Sequence, residues 1–90
     1  MDIGREIRKA IETGTVRLGV DQTKKAVRDG GARLVILSSS CPDDFLCNQS
    51  QTRTLRFEGT NVDLGSACGK PFSVSALAIL DAGESEILGA

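Results

Sequence analysis

The sequence predicts an α/β domain in three layers, helix, sheet and helix, and three observations carry that expectation. Leu34-Val35-Ile36-Leu37 is apolar at every position over the length of a strand, and a strand of that kind needs cover on both faces of its sheet. Ile3, Ile7, Ala10 and Ile11 recur at helical spacing, with Arg5, Glu6, Arg8, Lys9 and Glu12 between them. Thr15-Val16-Arg17-Leu18 and residues 54–58 alternate as half-buried strands do. At 90 residues the chain holds enough apolar material for one modest core, so a single domain over residues 1–90 is expected.

The elements follow in order. Residues 2–13 form an amphipathic helix that Gly14 closes, with the glycine expected in the left-handed conformation. After the strand at residues 15–18, Gly19 breaks the pattern and Asp21 stands as a candidate N-cap, ahead of a helix that buries Ala26 and Val27 and stops at Gly30-Gly31. The central strand spans residues 33–37. Ser38 to Asp44 is a loop by composition, with Pro42 disfavouring helix before it. Within residues 43–52, Phe45, Leu46 and Cys47 could face a core from a short helix, but Asn48-Gln49-Ser50-Gln51-Thr52 carries no apolar stripe, and with few apolar anchors the segment is expected to be the most mobile part of the chain. A strand at residues 54–58 leads through Gly59-Thr60-Asn61 into a helix of about two turns that Gly69 closes. Residues 74–80 read as a last buried strand, followed by a break at Asp81-Ala82-Gly83 and one helical turn within residues 84–88. Leu34, Val35, Ile36, Leu77, Ile79, Val16, Leu18 and Phe57 are the expected buried sheet residues.

Composition removes several function classes. No histidine occurs, which takes away the commonest general base and every Ser-His or Cys-His arrangement. Cys41, Cys47 and Cys68 form an odd set without a Cys-x-x-Cys pair, so they are expected as free thiols, with neither zinc nor disulfide. Apolar runs are too short to span a bilayer and the start has no signal-peptide pattern, so a cytoplasmic location without membrane contact is expected. Eleven Lys and Arg against twelve Asp and Glu leave a net charge of −1, so any nucleic-acid site must come from local placement of charge.

Gly65-Ser66-Ala67-Cys68-Gly69-Lys70 superficially imitates a phosphate-binding P-loop. Only three residues separate its glycines, Pro71 stands where the magnesium-binding hydroxyl belongs, and the segment ends a helix instead of opening one. The carboxylates Asp43, Asp44, Asp63, Glu84 and Glu86 show no pairing for acid-base work, so neither catalysis nor a cofactor is expected. More informative are Gly19 ahead of a helix start, Ser39-Ser40 behind the central strand, and Gly69-Lys70 ahead of Phe72. Loops at one sheet end can converge, free helix N–H groups hold phosphates, and an exposed aromatic ring can stack on a displaced base.

These segments occur in an order and wording that resembles the e-type large-subunit ribosomal protein thirty family of archaea and eukaryotes. The resemblance is carried by Ala10-Ile11-Glu12-Thr13-Gly14 with Leu18-Gly19, by Gln22-Thr23-Lys24-Lys25, by Ala32-Arg33-Leu34-Val35-Ile36-Leu37 and by Cys41-Pro42. It continues through residues 59–70, Val74-Ser75-Ala76-Leu77-Ala78-Ile79 and Gly83-Glu84-Ser85. It implies an α/β/α sandwich around a four-stranded mixed sheet, kink-turn RNA binding, and a structural role in the large ribosomal subunit beside neighbouring proteins, as a monomer when off the ribosome. It further implies an RNA site in three loops, comprising Gly19, Asp21, Gln22, Thr23, Lys24 and Lys25, then Ser39, Ser40 and Cys41, then Gly69, Lys70, Phe72 and Val74. Phe72 and Val74 match apolar contact positions, while Lys24, Lys25 and Lys70 are expected to position phosphates. Three departures stand out: Asp21 replaces a basic or amide residue, Ser40 an asparagine, and the tyrosine-bearing third helix is shortened between Pro42 and Arg56, with its basic residue replaced near Phe45. The alternatives are a kink-turn binder outside the ribosome and an interaction module with weakened RNA affinity.

Overall fold

The computed structural model describes residues 3–39 and 52–89. Helix α1 (Ile3–Thr13) leads into strand β1 (Thr15–Leu18), helix α2 (Val20–Arg28), strand β2 (Leu34–Leu37), strand β3 (Thr54–Arg56), helix α3 (Asn61–Ala67), strand β4 (Ala76–Asp81) and a final 3-10 turn (Ile87–Gly89). The sheet order is β1-β4-β2-β3, with β4 antiparallel to both neighbours and β3 parallel to β2, so the sheet is mixed.

Period-two geometry sorts the core into two layers. Leu34 and Ile36 of β2 and Leu77 and Ile79 of β4 point to one face, where they meet Ile7 of α1, Leu64 of α3 and Ile87 of the tail. Val35, Leu37 and Ala76 point to the other and meet Val27 of α2, with Val20 and Ala32 packed at the margin. The unbroken apolar run of β2 is thereby explained, because each of its four residues has a helix above it. Leu34, Val35, Ile36, Leu77 and Ile79 are fully buried as expected. Val16, Leu18 and Phe57 are only half-buried, since β1 is an edge strand and Phe57 lies past the end of β3. Phe57 still donates its N–H to Leu37 O at 2.8 Å, so pairing outlasts the strand by one residue.

Three local expectations change. Helix α2 begins at Val20 with Gly19 as its N-cap, whereas Asp21 lies exposed in the first turn. The earlier start lets Val20 pack against the Val35 and Leu37 layer. Gly14 does not take a positive φ. Its glycine identity has a different cause, because a Cβ there would stand 2.0 Å from the carbonyl oxygen of Asp81. Strand β4 begins at Ala76, two residues later than expected, because Val74 donates its N–H to Asn61 O at 2.9 Å and turns into the core. Helix α3 is capped by Thr60, whose side chain accepts from Asp63 N while Asp63 Oδ2 accepts from Thr60 N at 3.0 Å. The segment expected to be least anchored lies outside the described residues apart from Thr52.

Candidate nucleic-acid interface

Because β4 runs against both β1 and β2, the ends of β1 and β2 and the start of β4 share one end of the sheet. Backbone hydrogen bonds stitch the loops together there. Gly19 N donates to Ala76 O at 2.8 Å, Ser38 N to Ser75 O at 2.9 Å, and Ser39 N to Gly59 O at 2.8 Å. The Ser39 hydroxyl donates to the same Gly59 oxygen at 2.6 Å. The Ser38 hydroxyl donates to Asn61 Oδ1, so the β2 end is also tied to the start of α3. The Gly19 turn, the end of β2 and the start of β4 are thereby held together as one platform, and the loop that carries Phe72 leads into it just ahead of β4.

On that platform Gly19 adopts a φ of +100° and a ψ of 156°, a conformation that an L side chain rarely takes. Among the described residues a Cβ at Gly19 would meet nothing within 4 Å, so the constraint is conformational. Gly19, the N-cap of α2, has no side chain with which to cap it, and the first-turn N–H groups have no intrahelical acceptor. Asp21 and Gln22 are exposed beside them. Phe72 projects with 56% of its surface exposed. Its loop lies so close on α3 that a Cβ at Gly65 would stand 2.0 Å from the Phe72 carbonyl oxygen.

Several sequence-derived site residues have other roles. Val74 is buried in the layer under α1 and α3 and presents no surface to a ligand. Thr23 is fully buried, and its hydroxyl donates to Gly19 O at 2.6 Å, which fixes the glycine from below. Lys24 is half-buried and Lys25 exposed. Lys25 and Gln22 line a shallow cavity of about 230 Å³ with Arg17 and Asp29, on the flank of α2 beside β1. Ser39 and Gly69 are exposed and Lys70 half-buried, whereas Ser40 and Cys41 lie outside the described residues. Sequence reasoning missed Asn61 and Gly65, which hold the platform together. A glycine in the middle of a two-turn helix was the available signal for Gly65, because such a residue is costly unless another backbone approaches it.

The electrostatics offer little reactive chemistry. Burial raises the Cys68 thiol to about 11, with the charges of Lys70 and Arg8 pulling the other way, so it stays protonated at neutral pH. Among the described residues no three His, Cys, Asp or Glu side chains are grouped so as to hold a metal ion. None of the described helices is long and apolar enough to cross a membrane.

A mixed four-stranded sheet between helical layers defines an α/β sandwich, here with a glycine at the start of α2 and an exposed ring on the loop ahead of β4. The model of the ribosomal protein L7Ae/L30e/S12e/Gadd45 family matches residues 1–89, and the chain belongs to that family. Large ribosomal subunit protein eL30 of Methanosarcina mazei is 45% identical over 92 residues, covering 100% of this chain and 89% of the relative. The eL30 of Methanospirillum hungatei is 46% identical over 91 residues, with 98% and 96% covered. The eL30 of Methanothermobacter thermautotrophicus is 44% identical over 94 residues, with 98% and 96% covered.

Proposed function

We propose that the protein is a structural constituent of the large ribosomal subunit, binding a kink-turn or related internal loop of ribosomal RNA through the loop platform without catalysing a reaction. The observation that carries this reading is the joining of Gly19 and the Ser38-Ser39 end of β2 to the start of β4, with exposed Phe72 on the loop that leads into β4, in a chain similar along its whole length to proteins named for the large subunit. The open first turn of α2 supplies donors to a phosphate. Gly19 lets the RNA backbone approach those donors, and Phe72 supplies an apolar face for an unstacked base. The absence of histidine from the chain supports a non-catalytic role. In this reading the protein works in the cytoplasm on the ribosome, beside neighbouring subunit proteins, and is a monomer when free.

Asp21 favours a second reading, an interaction module with weakened RNA affinity, because an exposed carboxylate beside the α2 N-terminus repels phosphate. One titration separates the two. A labelled kink-turn RNA and a fully paired duplex of equal length are titrated with the protein at fixed salt. Tighter binding to the kink-turn supports the ribosomal reading, and equal weak binding to both supports the second. Sedimentation of the tagged protein with large subunits, and its release when the ribosomal RNA is digested, tests the assembly itself.

A further inference from the structure

The surface between α1 and α3 reaches the loop that carries Lys70 and Phe72. Two shallow depressions lie along this surface, and a third lies between α3 and the loop that follows it. Arg5 and Arg8 line the first, Arg8 and Lys70 the second, and Lys70 and Phe72 the third. Arg8 borders the first and second and Lys70 the second and third, so the depressions adjoin in a row that runs from α1, past the turn that closes α3, to the exposed ring. Among the described residues its walls carry Arg5, Arg8 and Lys70 against one carboxylate, Glu12, although the whole chain has a net charge of −1. That local excess of positive charge has no counterpart in the overall composition.

The groove is formed by fixed parts. Arg8 Nη2 approaches Ser66 O at 3.4 Å, and a Cβ at Gly69 would stand 3.4 Å from Arg8 Nε, so the guanidinium lies over the turn that closes α3. Arg8, Cys68 and Lys70 line the same depression, so the two cations stand around one floor. At the platform end, Val62 is 66% exposed and Phe72 56% exposed, and the two line the same depression. They are the large hydrophobic side chains left exposed among the described residues. An apolar pair at the mouth and guanidinium and ammonium groups behind it match a displaced base followed by its phosphates.

We propose that the groove between α1 and α3 carries the RNA backbone as it leaves the loop platform, with Lys70 and Arg8 contacting phosphates and Val62 joining Phe72 against a base. The proposal rests on the reading of the platform as an RNA site, and it extends the footprint from the loops onto the side of the domain.

The test compares Arg8→Gln, Arg33→Gln and the parent protein on kink-turn RNA carrying both flanking helices, across a salt series. Arg33 is exposed ahead of β2, at the opposite sheet end from the platform, and its replacement changes net charge equally. Arg8→Gln is expected to reduce the slope of log affinity against log salt by about 0.7 to 0.9, the value of one phosphate contact, while Arg33→Gln leaves it unchanged. Val62→Ala is expected to weaken binding severalfold without altering the slope. Arg8→Lys keeps a charge in the groove and should restore the parental slope, which separates phosphate contact from a loss of folding. If the parent binds and Arg8→Gln matches it, or if Arg8→Gln and Arg33→Gln shift the slope equally, the groove is not an RNA contact and the platform reading survives. A parent protein that fails to distinguish the kink-turn from a duplex would overturn the platform reading, and the groove proposal with it.

Discussion

Phe72 and Val74 are neighbours in the chain with opposite surroundings, and the difference separates binding from stability at the scale of single residues. The Phe72 ring is 56% exposed, whereas Val74 is 2% exposed and belongs to the layer shared with Ile7, Leu64 and Ile87. Replacing Phe72 by Ala therefore removes little buried surface. The expected outcome is an unchanged melting temperature and a loss of about 1–3 kcal/mol in kink-turn affinity, if the ring stacks on a base. Val74→Ala should do the reverse, lowering stability by roughly 1–3 kcal/mol through lost burial and a cavity, with affinity intact in whatever fraction remains folded. Melting and titration of the same two preparations check both. A parallel loss of affinity in Val74→Ala at a temperature well below its melting transition would mean that this side chain reaches the ligand. Gly65→Ala belongs at this scale too. The added carbon meets a carbonyl oxygen instead of a yielding side chain, so destabilisation by about 1–3 kcal/mol is expected on thermal melting, with the Phe72 loop displaced.

Among the elements, β2 was the most legible in the sequence because four consecutive apolar residues admit few arrangements other than a strand covered on both faces. Ile36→Ala should accordingly cost about 2–5 kcal/mol on denaturant melting, and a change below about 0.5 kcal/mol would contradict its central position. Helix α1 was legible from its spacing and α3 from its cap. Element starts were less so, for a physical reason. The sequence shows that Asp21 is able to cap a helix, but not that Val20 has an apolar layer to reach, and that layer decides the start of α2. Likewise the start of β4 depends on Asn61, whose carbonyl takes the Val74 N–H across the fold. The loop platform was visible as three separate loops, while the burial of Thr23 and Val74 within it was not, because burial depends on what packs behind. A contact between α1 and the tail also escaped the pattern. Glu6 is buried, its carboxylate accepts from Glu86 N at 2.8 Å, and Ser85 Oγ lies 2.7 Å from the Glu6 carbonyl oxygen. The Glu86 N–H, assisted by Ser85 and by the nearby Lys9 and Arg5 charges, holds the Glu6 carboxyl below its ordinary value against the opposing effect of burial. A carboxyl depressed in the folded state adds stability above its unfolded pKa of about 4.3, and that stability is lost as pH falls through the lower folded value. The melting temperature of the parent should therefore exceed that of Glu6→Gln near neutrality, with the gap closing as pH falls below about 4. A gap that stays constant from pH 7 to pH 3 would exclude the ionised carboxylate as its source.

For the whole molecule, a net charge of −1 means that RNA affinity has to come from where charges sit, since the long-range field of the chain does not attract a polyanion. Asp21 is where this matters most. Its carboxylate is exposed in the first turn of α2, beside Gly19 and the uncapped N–H groups, so it favours the helix while opposing an incoming phosphate. Asp21→Lys reverses the second effect locally and raises the net charge by two. Glu84→Lys raises it equally from the turn beyond β4, at the sheet end away from the platform, where Glu84 is exposed and its backbone N–H is held by Thr13. If placement governs binding, Asp21→Lys should tighten the kink-turn complex and steepen its salt dependence by about one phosphate contact, while Glu84→Lys should change little once salt screens charges beyond about 10 Å. The comparison is made at two ionic strengths, because a long-range effect of net charge disappears at the higher one and a direct contact does not. Asp21→Lys is expected to cost some helix stability, as the cation now faces the positive end of α2. Tighter binding in spite of that cost would put the α2 start in contact with the RNA, whereas equal affinities for the two lysine variants at both ionic strengths would move the contact elsewhere on the molecule.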